Sequence, residues 1–93
     1  MFVRVVRFTD VTPERVQSLV AEIDAGGPPP GVPIKKLQMI FDEAQGTAVV
    51  LQYFDSEDDL RTGAGAFAAM DPSETPGTRA SVDAGELKVD REV

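Results

Sequence analysis

Tyr53, the arginines Arg4 and Arg7 and a set of carboxylates are what this chain offers to chemistry, because histidine, cysteine, tryptophan and asparagine are all absent from its 93 residues. A tyrosine hydroxyl and a guanidinium can polarise an aromatic substrate by donating hydrogen bonds to an oxygen on which negative charge develops. Such a site also needs a base, and here that must be a carboxylate whose pKa burial has raised. Asp42, near the hairpin turn on its mixed face, is the candidate. The missing residue types exclude a base titrating near neutrality without help, a thiolate nucleophile, an imidazole or thiolate zinc ligand, and a His or Cys axial haem ligand. No residue is therefore assigned as catalytic, and neither a metal nor a cofactor is expected.

Composition narrows the partners further. Sixteen acidic residues against nine basic ones leave a net charge of −7, and no run of Lys and Arg is dense enough to track phosphates, which argues against nucleic acid and anionic membranes. No apolar run approaches the roughly 20 residues needed to span a bilayer. Residues 1–8 alternate too finely and carry charge too early for the apolar stretch of a signal peptide, so they read as a first strand. The lack of cysteine fits a reducing compartment, and a cytoplasmic location is the expectation.

The elements that must position these groups follow from periodicity. Residues 2–8 form a strand ending at Thr9-Asp10. Thr12-Pro13-Glu14 then opens a helix with a capping hydroxyl, proline at the first helical position and an early carboxylate. Val16, Leu19, Val20 and Ile23 make one apolar stripe, placing this helix over 13–24. Gly26-Gly27-Pro28-Pro29-Pro30-Gly31 ends it in a stiff loop. Residues 34–54 change to a period of two around Glu43-Ala44-Gln45-Gly46-Thr47, the pattern of a hairpin. A three-residue loop of Ala44, Gln45 and Gly46 sets Glu43 against Thr47, Phe41 against Val49, Met39 against Leu51 and Leu37 against Tyr53. The other face then holds Lys36, Gln38, Ile40, Asp42, Ala48, Val50, Gln52 and Phe54, with Gln38 across from Gln52.

Ser56 opens a second helix, with Glu57, Asp58 and Asp59 at its positive end. These acids read as helix-start residues and not as a cation cage, since consecutive helical positions point in different directions. Leu60, Ala64, Phe67 and Ala68 supply its inward stripe. Gly63 and Gly65 each lower helix stability by about 1 kcal/mol relative to alanine, which points to a close approach by the sheet or by a ligand. After a loop over 71–78, a last strand starts near Ala80, with a bulge expected at Gly85 that re-aims its end toward a partner.

Strand, helix, strand, strand, helix, strand is the ferredoxin-like βαββαβ order of an α+β fold. It predicts one domain over 1–93, with a four-stranded antiparallel sheet, both helices on one face, and strands 1 and 3 in the middle. The uncovered sheet face predicts a homodimer in which two sheets pack face to face.

Phe2-Val3-Arg4-Val5-Val6-Arg7-Phe8 followed by Thr12-Pro13-Glu14, with a hairpin that ends Tyr53-Phe54-Asp55-Ser56-Glu57-Asp58-Asp59-Leu60, resembles the antibiotic biosynthesis monooxygenase-like family of the dimeric α/β barrel superfamily. The resemblance implies a dimeric α/β barrel with ligands held between sheet and helices. Members of that group include cofactor-independent monooxygenases and haem-degrading enzymes, which rely on combinations of asparagine, tryptophan and histidine with tyrosine and arginine. Three of those types are missing here, so no family catalytic residue carries over.

Three functions remain in play. The first is a pocket for a small apolar or aromatic metabolite between the sheet and the second helix, lined by Met39, Tyr53, Gly63, Gly65 and Phe67, residues that would otherwise simply pack the core. The second is a non-catalytic dimerisation or interaction module, in which Gln38, Gln52 and Arg4 or Arg7 satisfy one another across the dimer interface. The third is a cofactor-free monooxygenase-like enzyme using Tyr53 and an arginine.

Overall fold

The computed structural model describes residues 1–27, 31–70 and 75–93. The proline run 28–30 and residues 71–74 of the later loop lie outside the described residues. The elements are β1 (Phe2–Thr9), α1 (Pro13–Gly26), β2 (Lys36–Asp42), β3 (Thr47–Phe54), α2 (Glu57–Ala68) and β4 (Thr78–Glu86). They form one antiparallel sheet in the order β2-β3-β1-β4, the ferredoxin-like α+β arrangement with the first and third strands central.

Local chemistry starts and stops these elements where the sequence suggests. Thr12 caps α1 by accepting a hydrogen bond from the Arg15 amide at 3.2 Å, with Pro13 in the first turn. Ser56 caps α2 by accepting from the Asp59 amide at 3.1 Å. Each cap satisfies one of the orphan donors at a helix start. Gly27, at φ 66°, turns the chain out of α1 while its amide donates to the Ile23 carbonyl.

The hairpin register differs from expectation by one residue. Asp42 pairs with Thr47, so the connection is a four-residue loop over 43–46. Asp42 explains why: its carboxylate accepts from both the Gln45 backbone amide, at 3.1 Å, and the Gln45 side chain, at 2.8 Å, drawing Gln45 into a wider turn. Gly46 holds the left-handed position at φ 66° and accepts from the Val11 amide at 2.9 Å, tying the turn to the end of β1. A one-residue shift exchanges the faces of a strand. Met39 therefore pairs with Val50, Phe41 with Ala48 and Leu37 with Gln52.

Val6, Phe8, Val11, Ala48 and Val50 make the buried core, with Val16, Met39 and Phe41 packed against it. Phe54 is fully buried against Gly63 of α2, and Leu60 of the same helix is buried as well. Val3, Val5, Ile40, Val49, Leu51 and Tyr53 lie on the opposite face, which neither α1 nor α2 covers; Ile40 is 60% exposed. In β4 the bulge lies at Ala80, between the pairs Arg7–Ser81 and Phe8–Arg79, whereas Gly85 pairs regularly with Val3. The strand therefore stays in its own sheet up to Glu86.

Candidate functional site

A cavity of about 900 Å³ separates the sheet from the C-terminal halves of the two helices. Its floor comes from alternate residues of three strands: Met39 on β2, Val50 and Gln52 on β3, and Arg4, Val6 and Phe8 on β1. Period-two alternation puts those side chains on the helix face together, and the corrected hairpin register delivers Val50 and Gln52 to it. Leu19 and Ile23 of α1, and Phe67 with Ala68 of α2, form the opposite wall, while Thr75 to Arg79 close one side. The α1 wall is held by Arg15, whose Nε donates to the Thr75 carbonyl at 2.9 Å.

The polar feature of this apolar space is Arg4. Only 4% exposed, its Nη1 donates to Oε1 of Gln52 at 2.9 Å, and Gln52 is equally buried. The two residues face each other directly across the β1–β3 pair. The guanidinium also lies over the Phe67 ring, 5.8 Å from its centroid, a distance at which the ring face attracts a cation. Burial, with the positive charge of Arg79 as the lesser cause, pushes the Arg4 guanidinium below its ordinary pKa. Among the described residues, Arg4 has no carboxylate partner.

Of the residues expected to line a pocket, the structure brings Met39 and Phe67 into this cavity. Tyr53 is placed on the opposite face of the sheet, where its hydroxyl donates to Oε1 of Gln38 at 2.8 Å and Lys36 Nζ sits 5.3 Å from its ring. That placement follows from the register shift. Gly63 is pressed against the Phe54 ring, and Gly65 lies on the exposed side of α2 with nothing among the described residues within 4 Å of an added Cβ. The interaction-module reading sets Gln38, Gln52 and either Arg4 or Arg7 together across a dimer interface; in the structure Arg4 and Gln52 satisfy each other inside one chain, on the helix face. The signal that could have placed them is the shared phase of Phe2, Arg4, Val6 and Phe8, which puts an arginine in the middle of an apolar strand face.

The arrangement offers binding more readily than proton transfer. Tyr53 and Arg4 lie on opposite faces of the sheet and cannot act on one substrate atom, and Arg7, which shares the face of Tyr53, stands opposite Val49, well along β3 from it. Asp42 spends both oxygens on the hairpin turn. Glu22, on the exposed side of α1, is the one carboxylate on the cavity wall among the described residues. No group of three or more acidic, His or Cys residues suited to a metal ion occurs among the described residues, nor does a helix long and apolar enough to cross a membrane.

No protein-family model matches the chain, and no curated protein matches it by sequence. Solved structures do share its shape. An antibiotic biosynthesis monooxygenase-like protein from Deinococcus radiodurans is 16% identical, with a TM-score of 0.61 over 100% of this chain and 98% of its own. A second such protein, from Chloroflexus aurantiacus, is 12% identical, with a TM-score of 0.59 over 98% of this chain and 96% of its own. A mutant of MhuD with two manganese protoporphyrin IX molecules bound per active site is 14% identical, with a TM-score of 0.57 over 100% of this chain and 98% of its own. At these identities the likeness is one of fold: the ferredoxin-like α/β architecture of antibiotic biosynthesis monooxygenase-like proteins.

Proposed function

We propose that this protein binds a small apolar or aromatic metabolite in the cavity between sheet and helices, and that it does so as a homodimer joined through the open sheet face. The observation that carries the reading is the cavity itself. Its volume, about 900 Å³, falls within the roughly 300–1,000 Å³ of small-molecule sites. Its lining combines Val6, Phe8, Met39, Val50, Leu19 and Phe67 with one buried polar pair, Arg4 and Gln52. An apolar surround with a few fixed polar groups suits a flat hydrophobic ligand that carries an oxygen function.

The porphyrin held by the MhuD mutant of the same fold gives the reading added support, since a large flat ligand is bound there. A catalytic role is not part of the proposal, because the residues that would share the work of an oxygenase are not brought together. The pure interaction-module reading draws on the same open face, and the two differ in whether the cavity is filled. A cytoplasmic setting completes the proposal, resting on the cysteine-free sequence.

Native mass spectrometry of gently purified protein tests it, together with a thermal-stability screen against quinones and polyketide-like aromatics. A dimer mass with an added small molecule, or melting temperatures that rise with ligand concentration, is the expected result. A clean dimer that no aromatic compound stabilises would favour the interaction module.

A further inference from the structure

The charge around the cavity runs against the charge of the chain. The protein carries a net charge of −7, yet the described cavity lining holds Arg4, Arg79, Lys35 and Lys36 against Glu22 alone. Two of these cations are engaged elsewhere: Lys35 pairs with Asp55 at 3.3 Å, and Lys36 sits over the Tyr53 ring. Arg4 and Arg79 are left facing the cavity without a carboxylate among the described residues.

Arg4 is the informative one. A buried charge without a counter-charge is costly unless its donors are satisfied, and Gln52 takes only Nη1. No fully buried side-chain nitrogen lacks a partner among the described residues, so the remaining donors of the guanidinium fork are not sealed in the core, and Arg4 is part of the cavity lining. Gln52 and the Phe67 ring fix the orientation of that fork. Arg79, placed by the bulge at Ala80, adds a second positive charge to the same space.

We propose, building on the ligand-pocket reading, that the cavity selects an aromatic carboxylate, with its ring among Phe67, Met39 and Val50 and its carboxylate on the free donors of Arg4, supported by Arg79. A planar two-oxygen anion matches the fork of donors that a guanidinium presents. Burial first, and the like charge of Arg79 second, disfavour the charged form of Arg4, and a bound anion offsets both. A neutral ligand of the same shape leaves that repulsion in place.

Two acids, 2-naphthoate and anthracene-2-carboxylate, and their primary amides are titrated into the intact protein at pH 7 by calorimetry. Each acid is expected to bind at least tenfold more tightly than its amide. Gln52→Glu supplies a carboxylate to Arg4 from within the chain and keeps the hydrogen-bond acceptor, so it should bring the acid-to-amide ratio to about one. Arg79→Gln, at an exposed position, should lower the ratio about threefold, and it remains informative should Gln52→Glu fail to fold. Equal binding of acid and amide overturns the carboxylate preference and leaves the pocket reading standing. A preference unchanged in both variants places the acid elsewhere and overturns the assignment. Binding of neither acids nor amides overturns this inference together with the pocket.

Discussion

Gly63 lies directly against the ring of Phe54: a Cβ at this position would stand 2.3 Å from Cε1 and 2.6 Å from Cζ. Phe54 is wholly buried at the end of β3, so its ring has little room to retreat. Gly65, two residues on, has nothing among the described residues within 4 Å of an added Cβ. The two glycines of α2 therefore do different things. Gly63 lets helix and sheet approach, and Gly65 serves no close approach among the described residues.

Alanine at each position separates these roles. At Gly63 the overlap with Phe54 costs about 1–3 kcal/mol, more than the roughly 1 kcal/mol that alanine gains in helix propensity. Gly63→Ala should thus lower stability, while Gly65→Ala should raise it by up to about 1 kcal/mol. Urea denaturation of both variants reads the two signs. A stabilised Gly63→Ala protein would show that α2 can lift from the sheet at no cost, contrary to this packing.

The placement of Tyr53 leads to a second contrast. Its hydroxyl donates to Gln38 on the face away from the cavity, whereas Phe67 stands on the cavity wall beside Arg4. Tyr53→Phe should leave the binding of any cavity ligand unchanged and lower stability by about 1 kcal/mol or less, the worth of one hydrogen bond. Phe67→Ala should weaken binding at least tenfold, losing a large apolar contact and the partner of the guanidinium. A Tyr53→Phe variant that loses binding would return the ligand to the other face of the sheet.

The difference between these two aromatics shows how far the sequence could be read. Element order and both helix caps were legible because each depends on local chemistry: Thr12 and Ser56 before their helices, glycine and proline after α1, and period two from Ile34 onward; strand order then followed from right-handed crossovers. The faces of β3 were not, because they hang on the length of one turn. Both loop lengths put Gly46 at positive φ, so that glycine could not choose between them. The choice fell to Asp42, whose carboxylate ties itself to Gln45. From there Val49, Leu51 and Tyr53 moved to the open face, and Gln52 moved to the cavity beside Arg4. The bulge at Ala80 was hidden for a related reason: Gly85 is the residue that resembles a bulge, yet it pairs regularly with Val3.

The Arg4–Gln52 pair carries a stability prediction of its own. Gln52→Leu leaves the buried guanidinium without its protein acceptor. Because hydrogen bonds to charged groups are worth about 1.5–3 kcal/mol, the variant should lose about 2 kcal/mol in urea denaturation. Replacing both members, Arg4→Met with Gln52→Leu, should recover most of that loss, since a buried polar pair can often be exchanged for apolar groups of similar volume. A double variant no more stable than Gln52→Leu alone would mean that Arg4 supports the fold through something other than this bond.

The open face of the sheet is where a second copy of the chain should dock. Val3 and Val5 on β1, Val49 and Leu51 on β3 and Ile40 on β2 present contiguous apolar side chains there, and neither α1 nor α2 covers them. A chain of 93 residues buries only about two thirds of its unfolded surface, so an apolar sheet face left in water is a liability that pairing removes. Leu51, on a central strand and opposite Val5, is placed to test this. Leu51→Arg would set two guanidinium groups against each other across a two-fold interface. Sedimentation at tens of micromolar should show the natural protein as a dimer and Leu51→Arg as a monomer with an unchanged circular dichroism spectrum. A monomeric natural protein, or a Leu51→Arg variant that remains a dimer, would remove this face as the interface and leave β4, exposed along its whole length, as the next place to look.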